Sequence, residues 1–382
     1  MMITWQTPFH LKSLELPNRI VMAPMTRSSS KQHIPGPTQS DYYRKRAEGG
    51  IGLIISEGTV IDHKASNGYP NVPHFYGEKA LAGWRYIIEE VHQAGAKMFP
   101  QLWHVGGVRQ RYACKNRKSD DQREACACEG NVPGYAPSAV QHPYVKNGEV
   151  PLEMSLKDIS DVIEAFAKAA KNAQQLGFDG IELHGAHGYL IDQFFWEYTN
   201  RRADQYGGRT LNERTRFAVE IIEAIRKEVG PDFPIDFRFS QWKLGDYSAK
   251  LATTPQELES FLIPLVQAGV DIFHCSTRRF WEPEFPHSHL NLAGWTKKIT
   301  GKPTITVGSV GLDIDFISNL SVDSSKTDNR LEYLLKALSN EEFDLIAIGR
   351  AVLADPDWFK KVIEQRFDDV IPFSRSMSGF SS

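Results

Sequence analysis

Eight times along 382 residues, a short run rich in Ile, Val, Leu and Phe gives way to a longer stretch with helical periodicity. The runs are Arg19–Ala23, Leu53–Glu57, Lys97–Leu102, Gly180–His184, Ile235–Phe239, Asp271–Cys275, Thr304–Val307 and Leu345–Ile348. They are mostly continuous rather than alternating in polarity, which suits strands of a parallel sheet buried on both faces. Between them, Trp84, Ile87, Ile88 and Val91 fall at i, i+3, i+4 and i+7. Val162, Ile163, Phe166, Ala170 and Ala173 form a second apolar stripe, and Phe217, Ile221, Ile222, Ile225 and Val229 a third. Helix starts are marked by Ser155 with Asp158 and by Thr254-Pro255-Gln256-Glu257. Eight strand–helix units predict an α/β fold, a (βα)8 TIM barrel, with a doubly wound sheet as the alternative. Length alone suggests two or three domains, but the repeat claims nearly the whole chain. Residues 1–382 therefore read as one barrel domain.

Two intervals are too long for plain connections. Residues 104–151, after the third strand, contain the charged segment Lys115–Glu129 and read as a lid-like insertion over the barrel mouth. Residues 185–211, after the fourth, are rich in aromatic and polar side chains. Composition narrows the partners. With 44 basic against 47 acidic residues, net −3, no surplus of positive charge points to nucleic acid or an anionic membrane. No apolar run approaches the ~18 residues of a spanning helix, and Met1–Ser13 lacks the pattern of a signal peptide. Cys114, Cys126, Cys128 and Cys275 form no C-x-x-C pair, so the thiols read as incidental and a cytoplasmic setting is expected.

Barrel chemistry is built where strands end. Here the ends are Ala23-Pro24-Met25-Thr26, Glu57-Gly58-Thr59, Gln101-Leu102-Trp103-His104, His184-Gly185-Ala186-His187-Gly188-Tyr189, Arg238 with Ser240, Gly308-Ser309-Val310-Gly311 and Gly349-Arg350. Glycines after strands seven and eight let backbone N–H groups approach a phosphate, and Arg350 offers a bidentate grip. Gln101 presents a donor and an acceptor, suiting an amide edge such as a pyrimidine or isoalloxazine. Arg238, in an otherwise apolar strand, calls for an anionic or electron-rich ligand or a structural carboxylate. His184 and His187 admit three readings: zinc ligands with His104 or His274 as the third, two donors to one substrate oxygen, or structural residues. In the second, Tyr189 supplies a proton to a basic carbanion or enolate.

Several of these segments resemble one family. Leu16–Arg27, Gln101–His104, Gly177–Leu190, Asn200–Arg209, Ala136–Ala139 and Ile348–Arg350 look like motifs of the old yellow enzyme family, across about Thr4–Lys361. The resemblance implies a barrel with non-covalent FMN and NAD(P)H as reductant. By position, Pro24, Met25, Thr26, Gly58 and Gln101 would line the flavin ring, with His184 near it and Arg238 at its N1/O2 side. Gly308, Ser309, Gly349 and Arg350 would hold the phosphate. His184, His187, Tyr189 and Trp103 would meet the substrate, with Tyr189 as proton donor. The His/His pair is similar to the 12-oxophytodienoate-reductase-like branch. The expected activity is ene-reduction of α,β-unsaturated carbonyl compounds, with nitro compounds and quinones as further acceptors. The alternatives are a metal-dependent barrel lyase or hydrolase built on His184 and His187, and a flavin-binding protein without turnover. Lys115–Glu129 and the tail Arg375–Ser382 match nothing specific, and Ser276–His289, with Arg279, Phe280, Trp281 and Phe285, is expected to form the sixth-loop wall of the pocket. Substrate, NADH or NADPH preference and oligomeric state are not written in the sequence.

Overall fold

The computed structural model describes residues 3–110, 132–312, 324–325 and 330–378. Its eight barrel strands are β1 (Ile20–Met22), β2 (Leu53–Val60), β3 (Lys97–Trp103), β4 (Ile181–His184), β5 (Ile235–Ser240), β6 (Ile272–Ser276), β7 (Thr304–Val307) and β8 (Leu345–Ile348). Each pairs in parallel with its sequence neighbours, and β8 closes onto β1. This is the expected (βα)8 barrel, and every predicted strand is present. The largest departure is β2, which runs on to Val60 past a register shift between Ile55 and Gly58. Its polar end, Glu57-Gly58-Thr59, carries no apolar signal, so periodicity stops short of it.

The outer helices are α1 (Pro37–Glu48), α2 (Glu78–Gln93), α3 (Leu156–Leu176), α4 (Arg216–Val229), α5 (Pro255–Ala268), α6 (Leu292–Thr300), α7 (Leu331–Ser339) and α8 (Trp358–Ile363), with short helical turns at Leu190–Phe195 and Arg350–Ala354 after β4 and β8. The three apolar stripes face the strands, and all their members are buried except Ile163, which is half-buried. α3 starts on a reciprocal box: Asp158 N–H donates to Ser155 Oγ and Ser155 N–H to Asp158 Oδ2. Thr254 Oγ1 accepts from Glu257 N–H at the start of α5. Such caps contribute ~1 kcal/mol each.

Inside the barrel, the lower layer is apolar. A hairpin of Phe9–Leu11 and Leu14–Leu16 closes the N-terminal end. Its Phe9, Leu14 and Leu16 pack with Leu53, Ile55, Phe99, Ile272, Ile305 and Leu345. The next layer is polar, because Glu182, Asp236, Arg238 and His274 all project inward from β4, β5 and β6. The expectation of plain apolar strands fails there.

Lys115–Glu129, with Cys114, Cys126 and Cys128, lies outside the described residues. The described parts of the insertion, 104–110 and 132–151, lie on the barrel top, where Tyr135–Ala136 pairs with Leu152–Glu153. Arg109 binds back to Val132 O, tying the two described flanks together. No helix among the described residues is long and apolar enough to cross a membrane.

Candidate active site

The C-terminal ends of the strands surround a cavity of about 310 Å³, at the lower end of the ~300–1,000 Å³ of small-molecule sites. Pro24, Met25, Thr26, Gln101, Trp103, His184, His187, Tyr189, Arg238, Gly308, Ser309, Gly349 and Arg350 all line it. Thirteen of the fourteen residues singled out from the sequence thus meet at one place. A wider, open depression along Trp196–Arg216 is lined by charges paired among themselves, such as Arg202–Asp204 and Arg216–Glu220.

Gly58 is the exception. It is buried and does not line the cavity; a Cβ there would come 2.4 Å from Cε3 of Trp103. Its bare backbone lets the indole lie flat. Tyr69 stacks on Trp103 with ring centroids 5.4 Å apart, so the indole has little room to retreat. Gly58→Ala is expected to cost about 1–3 kcal/mol through overpacking, read as a lower urea midpoint. An unchanged midpoint would mean that the indole yields without strain.

The histidine pair is set by the loop after β4. His187 takes a left-handed backbone, φ 64°, and its N–H donates to Ser240 Oγ at 2.9 Å. Its ring stacks on Trp242 at 4.4 Å, and Nε2 lies 2.7 Å from Ser276 Oγ. The two imidazoles stand nearly perpendicular, centroids 5.1 Å apart. Burial, then the nearby Arg238 cation, lowers the pKa of His184 to about 3 and that of His187 well below the ordinary value. Both rings are therefore neutral at pH 7. Each then carries one N–H donor, and His184 Nδ1 has no partner.

Tyr189 sits between Trp103 and His184, at centroid distances of 4.8 and 5.1 Å. Its hydroxyl is 3.0 Å from that of Tyr69. Burial and the Tyr69 phenol push its pKa well above 10, so it enters a reaction protonated. The loop carrying both groups is clamped from below. Lys243 Nζ and Asp192 Oδ1 meet at 2.5 Å with no exposure at all. Asp192 Oδ2 also accepts from Gly188 N–H at 2.6 Å, and Leu244 N–H donates to His187 O.

At the cavity floor, Gln101 Nε2 donates to Glu182 Oε1 at 2.6 Å. That leaves the amide carbonyl as the group offered to a ligand. Arg238 is buried and its Nε–H has no partner. At the far end, Gly308 stands at φ 143°, where a Cβ would press on Thr277 Oγ1 at 2.7 Å. Beside it, Arg350 donates to Ser309 Oγ. Phe373 closes this end, 5.8 Å from the Arg350 guanidinium. Thr26 stands on a loop held by Glu57, whose Oε2 accepts from Arg27 N–H.

Burial raises the pKa of Glu57 to about 7, against the pull of the Arg27 and Ser28 N–H groups. The folded state thus binds this proton more tightly than the unfolded one. Stability should fall as pH rises from about 4.5 to 7, by roughly 3 kcal/mol. Glu57→Gln removes that penalty. It should raise the melting temperature relative to the parent at pH 8 but not at pH 4, and an equal gain at both would contradict the assignment.

The zinc reading of the histidine pair lacks its third ligand. His104 Nε2 is paired with His63 Nδ1, and its Nδ1 accepts from Gly106 N–H. His274 shares metal-ligand spacing with Glu182 and Asp236, and not with His184 and His187. Among the described residues, that trio is the group with such spacing. Catalytic zinc sites use three protein ligands.

Sequence reasoning did not single out Tyr69, Trp242 or Phe373 as site residues, whereas Ser276 opens the segment expected to wall the pocket and does line the cavity. Tyr69 stands in a loop after β2, and Phe373 arrives from the C-terminal segment. A model of the NADH:flavin oxidoreductase / NADH oxidase family matches residues 6–369. The chain belongs to this family. It is accordingly an enzyme of the flavin- and NAD(P)H-dependent oxidoreductase type. A family member described as "NADH oxidase", from Thermoanaerobacter brockii, is 34% identical over 94% of this chain and 50% of its own length. The chain thus spans about half of that relative. "Putative 12-oxophytodienoate reductase 2" of Oryza sativa subsp. japonica is 33% identical over 97% of this chain and 88% of its own. Among solved structures, morphinone reductase superposes with a TM-score of 0.78 at 26% identity, covering 100% of this chain and 94% of its own.

Proposed function

We propose that the protein is an FMN-dependent ene-reductase of the 12-oxophytodienoate-reductase-like branch, reducing α,β-unsaturated carbonyl compounds with NAD(P)H. The observation that carries this reading is the convergence of His184, His187 and Tyr189 over a cavity floored by Gln101 and Arg238. The residues fit FMN. Arg238 Nε–H is buried without a partner, which suits an electron-rich ring edge. Gly308, Ser309, Gly349 and Arg350 suit a phosphate. Bound FMN would pass hydride from the nicotinamide to the β-carbon of the substrate. A morphinone reductase solved with tetrahydroNAD supports a nicotinamide site in such a barrel.

The chain's own groups do the rest. Neutral His184 and His187 donate N–H to the substrate oxygen and favour the enolate over the ground-state carbonyl. The Tyr189 phenol, protonated because it is buried, protonates the α-carbon. Trp103 and Trp242 give the cavity flat apolar walls that position a ring and exclude water. The chain acts as one barrel domain, with the described flanks of its insertion, 104–110 and 132–151, at the mouth.

Purified protein should carry a flavin absorption band that NAD(P)H bleaches and an enone restores. Enones, nitroalkenes and quinones tested in parallel define the acceptor. A flavin that NAD(P)H reduces but no such acceptor reoxidises would overturn ene-reduction.

A further inference from the structure

Between the apolar plug and the cavity floor lies a buried polar network that the proposed chemistry does not use directly. Gln101, Glu182 and Asp236 are register partners on β3, β4 and β5. One pleat nearer the cavity, His184, Arg238 and His274 are partners on β4, β5 and β6. Glu182, Asp236 and His274 are fully buried. Glu182 accepts from Gln101 Nε2 at 2.6 Å and lies 2.5 Å from His274 Nδ1. Asp236 receives no such side-chain donors; its carboxyl meets the Glu182 carboxyl and the Phe237 N–H. Ligand atoms of Glu182, Asp236 and His274 all lie within 4.8 Å of one another.

Two ionised carboxylates cannot share so small a dry space, so one keeps a proton. The donors decide which. Burial opposes the charge of Glu182, but His274, Arg238 and Asp236 outweigh it and lower its pKa to about 2. Burial and the Glu182 charge push Asp236 well above the usual carboxylate range. His274 is lowered, mainly by burial and against Glu182, and is neutral. The remaining titratable groups near the network are His184 and His187, both neutral, and the Cys275 thiol on β6, which burial raises and which meets Thr296 on the helix side. Arg238 is the cation of the network.

We propose that Glu182 and Asp236 hold one negative charge and one proton between them, and that this shared charge sets how much of the Arg238 charge reaches a ligand in the cavity. A positioning role follows for Glu182, since its anion also fixes the Gln101 amide with the carbonyl left to the ligand. The effect on a flavin rests on the FMN reading above; the shared proton does not. Removing either carboxyl leaves the other to carry the charge. Removing both leaves Arg238 unopposed and favours an anionic, reduced ligand.

Infrared spectra of the protein at pH 8 test the proton. The parent should show a buried protonated-carboxyl band that Asp236→Asn abolishes. Glu182→Gln should abolish it too, because Asp236 then ionises beside Arg238. A band that survives Glu182→Gln, or none in the parent, overturns the proposal. Redox titration of FMN-loaded protein tests the charge. Asp236→Asn should leave the midpoint potential in place. The double variant E182Q/D236N should raise it by at least about 30 mV, a tenfold change for two electrons. A shift as large in Asp236→Asn alone also overturns it. If the parent fails to bind FMN, the ene-reductase reading falls while the infrared result stands.

Discussion

Replacing Tyr189 with Phe is expected to slow alkene reduction by about 10²–10⁴-fold while leaving reduction of the flavin by NAD(P)H at its parental rate. In the proposed reaction the phenol protonates the substrate, and hydride transfer from the nicotinamide needs no such proton. The substitution keeps the ring that packs on Trp103 and His184, so the cavity keeps its shape. Stopped-flow measurement of the two half-reactions separates the steps. Equal losses in both would remove Tyr189 from the donor role. Tyr69 is the control, since it shares the hydrogen bond but does not enter the proposed proton transfer. Tyr69→Phe should cost much less than Tyr189→Phe in the same half-reaction.

The second large effect is structural. Lys243→Met leaves Asp192 as a buried carboxylate without its cation, which costs about 3–5 kcal/mol. The Gly188 N–H alone does not compensate. The double variant K243M/D192N removes both charges and should recover much of that loss, as a denaturant titration would show. A single variant as stable as the parent would mean that the pair is already neutral in the fold. The clamp also holds the left-handed turn at His187. Any folded Lys243→Met protein should therefore show a raised KM for the acceptor before it shows a change in flavin reduction.

The barrel was legible because its strands are continuous apolar runs at regular intervals, and each run met its partners as expected. The site was legible for a related reason, since barrel strands deliver their terminal residues to one mouth. Met25, Gln101, His184 and Arg350 are hundreds of residues apart at most, yet all sit at strand ends. Tyr69, Trp242 and Phe373 were harder. Tyr69 lies on a loop and Phe373 on a two-residue strand of the C-terminal segment, whose return paths no local pattern encodes, and Trp242 follows a strand end that otherwise reads as a turn. The Lys243–Asp192 pair was invisible because a lysine and an aspartate 51 positions apart look like ordinary surface charges. Gly58 sits at a strand end as expected but does not line the cavity, because its missing side chain makes room for Trp103. The polar interior of β4 to β6 was masked by strongly apolar neighbours such as Leu183 and Phe237, which face the helices.

The hairpin under the barrel has a kinetic consequence. Phe9, Leu14 and Leu16 close the lower end with a hydrocarbon layer, so among the described residues the mouth is the side from which water would reach Glu182 and Asp236. Whatever occupies the cavity then acts as a cork. Protons in the interior equilibrate with solvent while the cavity stands open and are trapped once a ligand fills it. The charge state with which a turnover begins is thus fixed at the moment of binding.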